Sequence, residues 1–198
     1  MVQTRGFVGR RGAASVTLPP GQYLTDDFPV LSAGPTPHVP LEEWELTVDN
    51  GSETLRRWSW KAFRELPTEE IAVDIHCVTR WSKIATAWEG VSVDTLLADI
   101  AGEASFALVR SYGGYTTNLP LSDLMNKQAW IVFRYDGGEL PPEHGGPARL
   151  LVPHLYFWKS AKWVRGLTLL DHDEPGFWEG FGYHIYGDPW REQRYSGD

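Results

Sequence analysis

The residues best placed to do chemistry sit in one short run, VDIHCVTRWSKIATAW, residues 73–88. It holds the only cysteine of the chain, Cys77, with Arg80 and Lys83 close behind and no carboxylate from Ile75 to Trp88. A thiol attacks or ligates as its thiolate, and neighbouring cations favour that form. A cysteine hydrolase needs a histidine base within reach; His76 is adjacent, and on a strand adjacent side chains point to opposite faces. Zinc wants about four N, S or O ligands, and the remaining histidines are scattered. A single soft thiolate better suits a metal whose other ligands come from a cofactor. The plain alternative is a small buried hydrophobe.

Two further windows share this charge pattern. Residues 104–122 contain Arg110 and no acid, and residues 149–170 contain Arg149, Lys159, Lys162 and Arg165 and no acid. The whole chain carries a net charge of −8, so its carboxylates are concentrated elsewhere. If the three windows converge in the fold, they make a site for an anion such as a phosphate. The acidic total argues against a nucleic-acid or anionic-membrane partner.

The elements that must position these windows read as mostly strands. Residues 44–50, 70–78, 106–112, 129–135, 148–153 and 163–170 have strand character, and Asn50-Gly51 marks a tight turn. Short helices are expected over 59–67, stopped by Pro67, and over 92–101, with a helical turn at 121–126. Residues 1–40 are rich in Gly and Pro and read as an extended arm packed on the domain, with Tyr23, Phe28, Val30 and Leu31 seeking burial. At 198 residues, 42% hydrophobic and 22% charged, the expectation is one β-rich, mixed α+β domain over 41–198. No apolar run approaches the roughly 20 residues of a membrane span. One cysteine and an N-terminus whose Arg10 and Arg11 precede no apolar stretch fit a cytoplasmic protein.

HCVTRWS resembles the cysteine segment of the sulfite oxidase family of molybdopterin-dependent oxidoreductases. PPEHGGPARLLVP (141–153), KSAKWVRGLTL (159–169) and the tail FWEGFGYHIY (177–186) resemble further segments of that family in the same order. The resemblance spans most of residues 20–190 and implies a molybdenum–molybdopterin cofactor on the sulfite oxidase type of molybdopterin-binding domain. Residue by residue, it implies that Cys77 is the protein ligand to molybdenum. It implies that His144 and Arg149 hold the pterin phosphate, with Ser160, Ala161 and Lys162 closing over the same group. Ser111 lies where relatives place a small hydroxyl residue against the pterin, Arg80 and Lys83 beside the thiol are further cofactor contacts, and Tyr183 takes the place of an active-site tyrosine.

The similarity implies two-electron redox chemistry, oxygen-atom transfer to or from a small S- or N-oxide substrate, with a separate electron-transfer partner and no haem. One departure bears on substrate. Ser82 stands where sulfite oxidases place a substrate-binding arginine, so sulfite is not the expected substrate unless Arg110 or Arg134 reaches the pocket from a neighbouring strand. Two readings of other classes stand beside the enzyme. A non-catalytic molybdopterin carrier keeps the phosphate contacts, whereas a tryptophan-lined carbohydrate module, suggested by ten tryptophans, has no need of Cys77.

Overall fold

The computed structural model describes residues 16–198; Arg10 and Arg11 lie outside the described residues. In chain order the strands are β1 (Tyr23–Leu24), β2 (Glu45–Asp49), β3 (Thr54–Ser59), β4 (Glu69–His76), β5 (Trp81–Ser92), β6 (Phe106–Ser111), β7 (Thr116–Pro120), β8 (Trp130–Tyr135), β9 (Gly138–Glu139), β10 (Arg149–Leu151) and β11 (Val164–Leu170). Three short helices, α1 (Trp60–Arg64), α2 (Val93–Leu97) and α3 (Phe177–Gly180), complete the α+β domain. One sheet runs β1-β5-β8-β10, with β4 also on β5 and β9 on β8, and the other runs β3-β2-β11-β6-β7. No helix of the described residues is long and apolar enough to cross a membrane.

Strand alternation covers the first sheet on both faces. Ile131, Phe133 and Leu150 join Leu46, Val109 and Leu167 of the second sheet in the main core. Their neighbours Trp130, Val132 and Leu151 face the other way, into a smaller cluster with Ile75, Cys77, Trp81 and Trp88. Arg149, two residues before Leu151 on β10, shares that second face. The thiol and this arginine are therefore brought to one side of one sheet.

Five strands, the two-residue β1 and β9 and the longer β3, β5 and β7, were not expected from the sequence. In β5, Ala85 takes a φ of 51° opposite a register shift in β4, which breaks the period-two pattern that marks a strand. A second irregularity falls at Gly90, where an added Cβ would lie 2.5 Å from the Ile131 carbonyl oxygen on β8. The helix expected to run to residue 101 stops at Leu97, because Ala98 is extended and Asp99 takes a φ of 62°.

The arm also differs from expectation. Tyr23, Val30 and Leu31 are 57%, 51% and 47% exposed, and only Phe28 of the four packs into the domain. The reason is that main chain holds this segment: Tyr23 N–H donates to the Arg80 carbonyl at 2.8 Å and Thr25 N–H to Ser82 at 2.9 Å, so burial of its side chains is not needed.

Candidate active site

Strand β4 ends at His76, and the chain turns tightly through Cys77–Arg80 before β5 begins. Cys77 N–H donates to the Trp81 carbonyl and Arg80 N–H to the Cys77 carbonyl, both at 2.9 Å. Arg80 closes the turn with a φ of 80°, and Gln22 Nε2 donates to the Cys77 carbonyl at 3.0 Å. The thiol is left buried against a cavity of about 480 Å³, with Thr79 Oγ1 donating to Sγ at 3.1 Å. Burial pushes the thiol's pKa up, opposed by the Thr79 hydrogen bonds and by the Arg194 guanidinium. The expectation that Arg80 and Lys83 favour the thiolate does not hold. Arg80 points to solvent, Lys83 donates to the Asp26 carbonyl, and neither lines the cavity.

On the far wall lies a cationic cradle. Arg149 is 1% exposed, donates to the carbonyls of His144 at 2.7 Å and Ser160 at 2.6 Å, and lies 4.1 Å from the Phe157 ring centre. Lys162 donates to the Glu143 carbonyl at 2.7 Å, and the His144 ring stacks on Phe28 at 3.9 Å. Gly145, with a φ of 111°, sits between the two cations; a Cβ there would approach both the Arg149 and Lys162 Cβ atoms to 3.0 Å.

Among the described residues no carboxylate pairs with Arg149 or Lys162. Burial lowers Arg149 to about 9, and burial together with Arg149 lowers Lys162 to about 8. Burial, then Arg149, also depresses His144. Unpaired buried cations are costly, and a bound phosphate answers them with charge-assisted hydrogen bonds. The cradle therefore has the chemistry of an anion site.

Cys77, His144, Arg149, Ser160, Ala161, Lys162 and Tyr183 all line this cavity. Ser160 does so through its main chain, since its Oγ accepts from Val152 N–H at 2.9 Å and its carbonyl takes Arg149. Ser111 does not line it; its Oγ is buried without a partner at the base of a turn whose residues Tyr112–Tyr115 do. Tyr183 stacks on Trp178 at 4.9 Å and meets the edge of Trp158 at 5.1 Å, and burial raises its phenol pKa. All three acid-free windows contribute lining residues. The cations of the first two turn elsewhere, Arg110 pairing with Asp49; Arg134, on β8 and outside the windows, reaches Glu89 at 3.3 Å and the Gly137 carbonyl at 2.7 Å.

The sequence reading missed several contributors. Arg194, the cation acting on the thiol, comes from the C-terminal tail and donates to the Val78 carbonyl at 2.6 Å. Tyr115 donates from its hydroxyl to the Trp158 carbonyl at 2.7 Å. The paired glycines at 113–114, both at positive φ, were the available signal for that turn. Ser82 lies off the cavity, fully buried, with its Oγ 2.8 Å from His76 Nδ1. Among the described residues no three His, Cys, Asp or Glu side chains gather, so the cavity offers a metal one thiol and not a cluster.

Comparison with known proteins bears on the family and the fold. The model of the oxidoreductase molybdopterin-binding domain matches residues 33–178. An uncharacterized oxidoreductase, YuiH, of Bacillus subtilis is 40% identical over 96% of this chain and 97% of its own length. The catalytic subunit MsrP of a protein-methionine-sulfoxide reductase of Gluconobacter oxydans is 30% identical over 60% of this chain, which spans 44% of that protein. Among solved structures, the sulfane dehydrogenase SoxCD of Paracoccus pantotrophus superposes with a TM-score of 0.61 at 19% identity, covering 70% of this chain and 41% of that one, a likeness of fold.

Proposed function

The chain belongs to the molybdopterin-binding oxidoreductase family, and from that premise we propose that it transfers an oxygen atom to or from a small S- or N-oxide at the cavity shared by Cys77 and Arg149. The observation that carries this reading is the pairing, in one cavity, of a single buried thiol with a cradle of cations that no carboxylate neutralises. The similarity to methionine-sulfoxide reductases supports an S-oxide as the substrate class.

In this reading His144, Arg149 and Lys162 hold the phosphate of a molybdopterin, with the main chain at Ser160 and Ala161 closing beside it. The group, when bound, would supply the two-electron couple and the oxygen exchange, with a separate carrier giving two electrons when an oxide is reduced or taking two when the substrate is oxidised. Cys77 supplies the soft ligand. Its Sγ would bind as the thiolate, since a coordinating thiol is deprotonated by the metal. The Tyr183 hydroxyl orients the oxygen of the substrate by donating a hydrogen bond. The rings of Trp158, Trp178 and Phe177 line that end of the cavity.

The test is molybdenum analysis of the purified protein, pterin fluorescence after acid oxidation, and turnover of dimethyl sulfoxide with reduced benzyl viologen. Stoichiometric metal and pterin with turnover are expected. Their absence after expression in a host that makes the cofactor overturns the reading, and bound cofactor without turnover of any S- or N-oxide reassigns the chain as a carrier.

A further inference from the structure

Behind the cavity wall lies a second charged cluster. Lys159 and Glu179 meet at 2.6 Å with side chains 0% and 1% exposed. Glu179 Oε1 also accepts from Trp158 Nε1 at 2.9 Å and from Thr117 Oγ1 at 3.1 Å. Lys159 Nζ donates in addition to the Asn118 carbonyl at 2.9 Å, to Asn118 Oδ1 at 2.8 Å and to the Ile185 carbonyl at 2.7 Å. The approach is close: an added Cβ at Gly176 would stand 2.8 Å from Glu179 Oε2 and 2.5 Å from the Thr117 Cα.

A buried ion pair is weak evidence for stability, since desolvation offsets the attraction and an apolar pair of the same shape often serves as well. Its use here is geometric. The ammonium grips the chain at Ile185 and the carboxylate grips it at Glu179, on either side of Tyr183. The same carboxylate fixes the indole of Trp158, whose ring abuts Tyr183. Lys159 itself directly precedes Ser160, whose carbonyl takes Arg149. One pair thus ties the aromatic wall to the cationic cradle.

We propose that Lys159 and Glu179 are positioning residues that set the distance between the Tyr183 hydroxyl and the group held by the cradle, an inference that rests on the oxygen-transfer reading above. Neither lines the cavity. Their effect on rate runs through Tyr183, and a misplacement of about 1 Å in such a group costs on the order of 100-fold.

Two measurements test this. In the apoprotein, hydrogen exchange over residues 181–187 should speed up by about tenfold in Glu179→Gln while exchange in β8 stays unchanged. In the loaded enzyme, Glu179→Gln should lower kcat on the order of 10- to 100-fold at unchanged molybdenum and pterin content. The same change in a Tyr183→Phe background should then cost less than about twofold, because the group it positions is gone. Trp158→Phe, which removes the N–H donor and keeps a ring, serves in both measurements if Glu179→Gln does not fold. Equal losses in both backgrounds, or unchanged exchange over 181–187, overturn the proposal. A wild-type protein without molybdenum sinks the oxygen-transfer reading instead, and the exchange experiment then decides this one.

Discussion

Lys159 and Lys162 lie in one short segment, yet the fold treats their charges in opposite ways. Lys159 is sealed from water and met by a carboxylate and three carbonyl-type oxygens. Lys162, beside Arg149, is half-buried and, among the described residues, met by no carboxylate. In the first arrangement the charge is answered within the protein, although Glu179 Oε2 is left buried without a hydrogen-bond partner. In the proposed reading an anion would complete the second, which is how a binding site differs from a structural ion pair with the same residue types.

The sharpest way to break this comparison is the same substitution at both sites. Lys159→Met strands Glu179 without a counter-charge, and the apoprotein should lose about 3–5 kcal/mol in urea unfolding. Arg149→Met removes the donor from three carbonyl oxygens, those of His144, Leu150 and Ser160, but strands no charge and should cost the apoprotein less, about 1–3 kcal/mol. Cofactor retention should reverse the order. Arg149→Met loses charge-assisted hydrogen bonds worth on the order of 1.5–3 kcal/mol, and molybdenum content should fall accordingly. Equal destabilisation, with normal molybdenum in Arg149→Met, would erase the distinction.

A smaller effect follows from pH. Lys162, lowered to about 8, is charged below that pH and neutral above it. Sulfate binding to the apoprotein, measured by calorimetry, should therefore weaken as pH rises through about 8 and again through about 9, where Arg149 follows. Stability has the opposite sign. Between about 8 and 10.5 the unfolded chain binds more protons at this lysine than the folded one, so the apoprotein gains stability from Lys162 across that window. Affinity for sulfate that stays level across both steps would show that the two cations do not form the anion site.

The smallest expected signal is sulfite turnover with ferricyanide, which should be weak. Ser82 replaces the family arginine and faces His76, and Arg110 and Arg134 are committed to Asp49 and Glu89, so none of them adds positive charge at the cavity. Saturable turnover at micromolar sulfite would refute this, and would mean that the cradle cations or Arg194 suffice for a dianion.

Much of the cavity lining was legible in the chain because carboxylates are scarce in the segments that form it. The three acid-free windows mark the segments that line the cavity, and the ordered motifs place Cys77, His144, Arg149, Lys162 and Tyr183 together. What misled was the nearness of cations in sequence. Arg80, Lys83 and Arg110 lie within the right segments but on the wrong side of the chain, since a tight turn and a strand each send successive side chains in different directions.

The sequence by itself determined the family, the β-rich α+β class and the residue types of the site, because motif order and local charge need no tertiary information. Only the tertiary structure decided which cations stay unpaired, that Arg194 from the tail reaches the thiol loop, and that β5 forms across two irregularities. Those outcomes depend on contacts between residues far apart in the chain, and burial, which gives each charge its meaning, is a property of the folded whole.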